Sequence, residues 1–293
     1  MSEASVAYDI IGDIAIIKPI PGLQANVNEL AARIVAASKH VRTVLRQLTP
    51  ISGEYRTRAL EWIFGEKKTE TVHREHGCQF KVDLAKVYFS PRLLYERIRI
   101  AKKVSPKETV INMFAGVGCF SITIAKHSQV SKVFSIDINP EAVRYMFENV
   151  YLNKVARQVS TVLGDSKAIM ELHLRGKADR VLMPLPGKAI TYLDAAMVAL
   201  KPKPGDVHIY DFVHARKGED PLQKTLDRIT SRLSRFEVSV IRKETRIVRT
   251  IGPNWYQTVT DLTLEKLPTK NMHDAWEHRK ISVESNNQAT LSL

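Results

Sequence analysis

Two cysteines, Cys78 and Cys119, are all the chain contains, and they lie far apart. No C-x-x-C pair is present, which leaves no disulfide framework, no dithiol redox centre and no zinc ribbon. Long apolar runs are also missing. Nothing approaches the roughly 18 consecutive apolar residues of a membrane-spanning helix. The N-terminus, MSEASVAYDIIGDIAII, has neither a basic n-region nor a long apolar core, so no signal peptide is expected. These absences predict a soluble, cytoplasmic protein with no membrane partner. No internal repeat is found, which sets aside solenoids and propellers.

What the sequence has in excess is positive charge. Its 293 residues carry 44 Lys and Arg against 31 Asp and Glu, a net charge of +13. With a composition 44% hydrophobic and 26% charged, the chain reads as globular and as a partner for a polyanion, nucleic acid foremost.

Hydrophobic periodicity divides the chain. Residues 7–19 read as a strand hairpin turning at Gly12-Asp13. Residues 26–40 read as a helix capped by Asn26 or Asn28. VRTVLRQ is a further strand, and the stretch from Gly53 to Phe89 alternates strand, glycine-containing turn and strand. This first third is a small α+β unit. At Ser90-Pro91 the pattern changes. PRLLYERIRIAKKV is a helix with proline in its first turn, where the missing N–H costs nothing. Strands at 109–114, 132–136, 158–163, 179–184 and 206–212 then alternate with helices at 119–127, 140–153, 187–199 and about 220–234. That alternation implies right-handed crossovers and a parallel sheet. Two late strands, FEVSVIRKETRIV and WYQTVTDLTLEK, follow, and the remaining polar segment reads as a flexible tail.

The run VINMFAGVGCFSI places Gly116 and Gly118 between a strand and a helix. A dinucleotide fingerprint would need a third glycine where Ser121 stands. Downstream, Asp137 ends the second strand of the alternation, about twenty residues on, where a carboxylate accepts ribose hydroxyls. Asp165 ends the third, where it can accept a hydrogen bond from an adenine amino group. The three features lie in register on successive strands and point to a nucleoside-containing cofactor, with adenosylmethionine favoured over a pyrophosphate ligand. The ordinary reading of both aspartates is a strand-end turn.

Taken together, KVYFSPRLLYERIRIAKKV, INMFAGVGCFSI, SIDINPEAVRYMFENVYLNKV and RIVRTIGPNWYQTVTDL resemble the archaeal and eukaryotic tRNA (guanine-N1)-methyltransferase family over residues 8–266. Its members methylate the guanosine 3′ of the anticodon, position 37. The resemblance implies an α/β fold: a Rossmann-type class I methyltransferase domain with a mostly parallel sheet (residues 100–266), preceded by a small α+β, RNA-positioning domain (1–99) and followed by a tail (267–293). It implies S-adenosyl-L-methionine as cofactor, held by Phe114, Gly116, Gly118, Asp137, Asp165 and Pro186. It implies a tRNA anticodon stem-loop as partner and a monomer. Guanine N1 carries a proton at neutral pH, so methylation needs a base and a donor for the charge growing on O6. Glu96 matches the family's general base and Arg56 its O6-contacting arginine, with Tyr88 and Arg92 beside the target base. Outside the family, Glu96 would read as an exposed helix carboxylate paired with Arg92 or Arg99. Larger members carry a further N-terminal domain that grips the tRNA elbow. This chain begins almost directly at the α+β unit, so contact near the anticodon stem is expected.

Two departures stand out. Asn112 replaces the usual aspartate before MFAG. Pro184-Leu185-Pro186 replaces the usual Asn-Leu-Pro or Asn-Pro-Pro-Tyr, and Pro184 has no N–H to donate. A wyosine-pathway aminocarboxypropyltransferase, which shares fold and cofactor, is the nearest alternative. A non-catalytic RNA-binding relative is the next. His73, His76 and Cys78 match no standard zinc spacing and read as an exposed hairpin. Arg242, Lys243, Arg246 and Arg249 read either as a phosphate-binding stripe or as an ordinary solvated strand face.

Overall fold

The computed structural model describes residues 8–18 and 27–267. The Asn26 cap and the segment 268–293 lie outside them. The first elements are β1 (Tyr8–Ile11), β2 (Ile14–Ile17), α1 (Val27–Ala37), β3 (Thr43–Gln47) and β4 (Leu60–Gly65). They form a four-stranded sheet in the order β1-β2-β3-β4. Its β2–β3 pair is parallel because α1 serves as the crossover. Ala31 and Ile34 of α1 bury against Ala15, Ile17 and Val44.

A separate hairpin follows, β5 (Glu70–Glu75) and β6 (Cys78–Asp83). The expectation of an exposed hairpin is corrected here. Cys78, Phe80 and Val82 are fully buried and belong to the same core as Ile100, Phe120 and Tyr145. The alternation C-x-F-x-V aims every second side chain inward.

The helix after Ser90-Pro91 begins as a short 3₁₀ turn, Pro91–Leu93, and continues as α2 (Leu94–Lys103). Then come β7 (Thr109–Asn112), α3 (Cys119–His127), β8 (Lys132–Asp137), α4 (Pro140–Leu152) and β9 (Val159–Leu163). They are followed by α5 (Ser166–Leu172), β10 (Arg180–Met183), α6 (Leu193–Ala199), β11 (Gly205–His214), α7 (Pro221–Leu233), β12 (Val238–Gly252) and β13 (Trp255–Lys266). The seven-stranded sheet runs β12-β13-β11-β10-β7-β8-β9. Strands β11, β10, β7, β8 and β9 are parallel, and β13 and β12 close the sheet antiparallel. Strand order reverses between β7 and β10, so their carboxyl ends frame a crevice. Helix α5 is absent from the expected elements, because its seven residues are too few to show a period.

One face of the large sheet carries α2, α3 and α4, and their core is continuous with the hairpin and with Ile11 and Ile14 of the first sheet. The other face carries α5, α6 and α7. Helix α3 is buried from Cys119 to Ala125 because it is covered on all sides.

Beside that shared apolar core, side-chain amides hydrogen-bond the two units together. The free edge of β6 meets α4 instead of another strand. Asn149 Oδ1 accepts from the Lys81 N–H at 2.7 Å, and its amide nitrogen donates to Lys81 O at 3.0 Å and Val117 O at 3.1 Å. Asn153 repeats the pattern one turn later with the N–H and C=O of Gln79, at 2.8 and 2.6 Å. Two asparagines spaced as i, i+4 thus pair with every second residue of a strand as a neighbouring backbone would. Asn149→Ala leaves buried backbone groups without partners, and we expect urea denaturation to show about 2–3 kcal/mol of lost stability. A loss below about 0.5 kcal/mol would mean water replaces the amide.

Candidate active site

A cavity of about 420 Å³ opens at the carboxyl ends of the parallel strands. Successive strand ends supply its wall: Phe114 and Gly116 after β7, Asp137 at the end of β8, Asp165 after β9, and Pro184–Lys188 after β10. The smaller unit supplies the opposite wall, with the loop Ile51–Arg56 and Tyr88.

Gly116 has φ +56°, and a Cβ there would approach only Tyr88 O at 3.9 Å, so the cavity is open over it. Gly118 does not line the cavity. At φ +92° it starts α3, and a Cβ would press on Ile122 and Met146 at 3.0 Å. Its smallness serves helix packing. Ser121, where a third glycine would stand, is buried, accepting from the Asn112 amide at 3.1 Å and from the Ser135 hydroxyl at 2.7 Å.

Asp137 is half-buried and anchored by backbone. One carboxylate oxygen accepts from Gly116 N–H at 2.7 Å, the other from Asn139 N–H at 3.0 Å. Burial pushes its carboxyl above the usual aspartate value, although these N–H groups pull the other way. Each oxygen keeps a lone pair, enough for two hydroxyl donors. Asp165 caps α5 by accepting from Ala168 N–H at 3.0 Å, while its second oxygen faces the Tyr192 hydroxyl at 3.4 Å. Tyr192 also meets Phe114 edge-on at 5.1 Å.

Arg56 is held in the left-handed region, φ +52°, a conformation a non-glycine residue adopts at a cost. Its guanidinium lies 5.1 Å from the Tyr88 ring centre and 6.0 Å from that of Phe212. It donates to Pro186 O at 3.4 Å, joining the two walls. Tyr192, Phe212, Gln257 and the loop Ile51–Tyr55 were not singled out from sequence. Phe212 and Gln257 sit in ordinary strand alternation, and the loop carries no motif.

Glu96 and Arg92 do not line the cavity. Arg92 turns away and donates twice to Asp9 Oδ1, at 2.8 and 2.6 Å. Glu96 is buried, where a bare helix pattern would have left it exposed. It lies over the inner face of the sheet, where three cross-strand rows succeed one another. Phe212, Gln257 and Arg249 form the row at the cavity. Tyr210, Val259 and Arg246 form the next, and His208, Asp261 and Glu244 the third. Glu96 sits on the middle row, about 7 Å below the first at two residues per row. One of its oxygens accepts from Tyr210 OH at 3.0 Å and from Arg99 at 3.0 and 3.1 Å. The other accepts from Arg246. Arg99 is itself fixed by Asp261 at 2.5 Å. The cavity row has a similar contact, Arg249 Nε donating to Gln257 at 2.7 Å.

The TRM5/TYW2 methyltransferase domain matches residues 71–241, and the TYW2 N-terminal domain matches residues 1–69. The chain belongs to the TRM5/TYW2 family. Among curated relatives, tRNA (guanine(37)-N(1))-methyltransferase Trm5b of Pyrococcus abyssi is 43% identical over 87% of this chain and 74% of its own. The tRNA 4-demethylwyosine(37)-methyltransferase Taw21 of Saccharolobus solfataricus is 38% identical over 87% and 92%. A Methanocaldococcus jannaschii tRNA(Phe) (4-demethylwyosine(37)-C(7)) aminocarboxypropyltransferase is 31% identical over 89% and 99%. In structure, Trm5b from Pyrococcus abyssi superposes with a TM-score of 0.77 at 42% identity, covering 88% of this chain and 75% of that one. The complex of aTrm5 with tRNALeu gives 0.75 at 33%, covering 88% and 72%. M. jannaschii TYW2 in complex with AdoMet gives 0.67 at 27%, covering 89% and 100%. These matches establish the α/β methyltransferase architecture with its smaller N-terminal unit. Among the described residues no helix is long and apolar enough to cross a membrane.

Adenosine serves as the probe of the Asp137 wall. A carboxyl raised by burial takes up its proton at a higher pH than an ordinary aspartate, and an oxygen that accepted a ribose hydroxyl is then lost. Adenosine affinity should therefore fall on acidification, beginning above the usual aspartate range. Calorimetry should show Asp137→Ala weaker by about 2–4 kcal/mol at neutral pH, and Asp137→Asn without the acid limb. Unchanged affinity in both variants would remove Asp137 from the ligand wall.

Proposed function

We propose that this protein transfers the methyl group of S-adenosyl-L-methionine to N1 of the guanosine at position 37 of tRNA. The observation that carries the reading is the single cavity whose one wall is the Phe114, Gly116, Asp137 and Asp165 set and whose other wall is Arg56 and Tyr88. A nucleoside-bearing cofactor fits the first wall, because Asp137 has lone pairs to spare and Gly116 leaves room for close approach. Bound there, the cofactor supplies an electrophilic methyl on a sulfonium. Its net positive charge suits a wall that offers carboxylates and no phosphate cradle.

The chain's own residues do the rest. Tyr88 offers a ring for the target base to stack on, and Arg56 a fork of donors for O6 as charge grows there. Glu96 takes the N1 proton as the N–CH₃ bond forms and the S–CH₃ bond breaks. It lies one row below the cavity floor, so it meets the base only once its side chain reorients, and such contacts often tighten only with substrate in place. The net charge of +13 supports tRNA as partner.

A second acceptor has a specific observation in its favour. Pro184 lines the cavity without a side-chain amide to read a guanine edge, and the chain spans 92% of Taw21. Methyl transfer to a ring atom of 4-demethylwyosine is the second reading; its acceptor is not N1, which the third ring of that nucleoside already occupies. The test uses purified protein, unmodified tRNA or tRNA carrying 4-demethylwyosine, and adenosylmethionine labelled in the methyl or the carboxyl group. We expect methyl label alone in the product, on N1 of guanosine 37. Carboxyl label would establish aminocarboxypropyl transfer and overturn the reading. Glu96→Gln should slow single-turnover methylation by about 10²–10⁴-fold, the range of a positioned general base, with cofactor and tRNA affinities little changed. A near wild-type rate would leave Glu96 as a structural carboxylate.

A further inference from the structure

The edge strand β12 turns Arg242, Glu244, Arg246 and Arg249 to the face that carries α2, since their cross-strand partners Thr263, Asp261, Val259 and Gln257 lie in register there. The irregularity in the pairing between Ile247 and Arg249 keeps Arg249 on that face. The two arginines nearest the cavity each hold a group of the site. Arg249 holds Gln257, and Arg246 holds the oxygen of Glu96 that Tyr210 and Arg99 leave unused.

The hold of Arg246 is incomplete. Only Nη2 donates to Glu96, and the buried Nε–H has no acceptor. Its side chain is a third exposed, on an edge strand where Arg242 and Lys243 are exposed as well. Arg99 differs. Its Nε and Nη2 both donate to Glu96, and Asp261 fixes its far side. A partly exposed guanidinium held by one arm only can be drawn outward by a phosphate, which then engages two of its arms in parallel.

We propose that Arg246 is a positioning residue that senses the RNA backbone: a phosphate of the bound anticodon stem takes its guanidinium and so releases one oxygen of Glu96 for the target base. Tyr210 and Arg99 keep the other oxygen, so the freed carboxylate stays aimed. Without RNA, Glu96 remains neutralised by two guanidiniums and the site is at rest. The inference rests on Glu96 acting as the proton acceptor.

The test replaces phosphates of an anticodon stem-loop, one at a time, by uncharged methylphosphonates. Single-turnover methylation is followed at saturating RNA, with wild-type protein and with Arg246→Gln. At one position the neutral linkage should slow the wild type by tenfold or more, although binding is saturated. Arg246→Gln should be indifferent at that position. It should also reduce the slope of log affinity against log salt by about one, the loss of one phosphate contact. Lys177→Gln, which removes an exposed charge just before β10, at the end of the sheet away from the cavity, should retain the phosphate effect. Arg246→Lys, which keeps charge and loses the fork, should retain part of it and guards against misfolding of the Gln variant. If no position slows the wild type, or if the slowing is equal in both proteins, the inference is overturned while methylation by the wild type still stands. If the wild type transfers no methyl group at all, the parent reading falls and this inference with it.

Discussion

Helix α2 is braced from both flanks by buried ion pairs, and the site depends on that bracing. On one flank Arg97 donates to both oxygens of Glu75 at 2.6 Å and to Ser90 O at 2.8 Å. On the other Arg99 meets Asp261, which also accepts from His208 at 2.6 Å. Burial raises the carboxyls of Glu75 and Asp261, but the hydrogen bonds from His73 and Arg97 to the first, and from His208, Arg99 and Lys103 to the second, outweigh it, and both titrate below the usual range. The bracing is therefore complete above about pH 4–5 and is lost only as pH falls below the ordinary carboxylate range. Buried pairs of this kind add little net stability, because desolvation costs nearly as much as attraction returns. Their contribution here is position: they fix the register of α2 against β5 on one side and β13 on the other.

That register joins the two units into one site. Leu93, a turn before Glu96, lines the cavity, and Tyr88 and Ser90 lead into the helix from the hairpin. The asparagines of α4 tie the same hairpin to the parallel sheet. Arg56, whose loop belongs to the smaller unit, reaches across to Pro186 of the larger. The two walls of the cavity are thus set by three separate polar joints, each made of groups that would be costly to bury alone.

Much of the fold was legible because the strands and helices of the larger unit are long and keep their period. The strand-end aspartates were legible for the same reason: register on successive strands puts Asp137 and Asp165 at one edge. The surroundings of Glu96 were not. In LYERIRIAKK the charges occupy positions that look solvated, and two of them, Glu96 and Arg97, are buried. Their partners arrive from Glu75, earlier in the chain, and from Arg246 and Tyr210, more than a hundred residues later. Arg92 was placed beside the target base by family resemblance, and the structure pairs it with Asp9, across a sequence gap that no local pattern spans. Gly118 likewise resembles a ligand-facing glycine and serves the contact between α3 and α4. A charged residue's partner at long range is a property of topology, and periodicity does not encode it.

In the proposed reaction the position-37 base enters the cavity against the wall of Arg56 and Tyr88. Photo-cross-linking tests it most directly. An anticodon stem-loop carrying 6-thioguanosine at position 37 would be irradiated on the protein with a non-reactive cofactor analogue bound, and the adduct mapped by mass spectrometry. The account predicts attachment within Ile51–Arg56 or at Tyr88, diminished by Arg56→Ala. Attachment elsewhere, for instance in the open cleft lined by His40, Lys68 and Arg74, would contradict it.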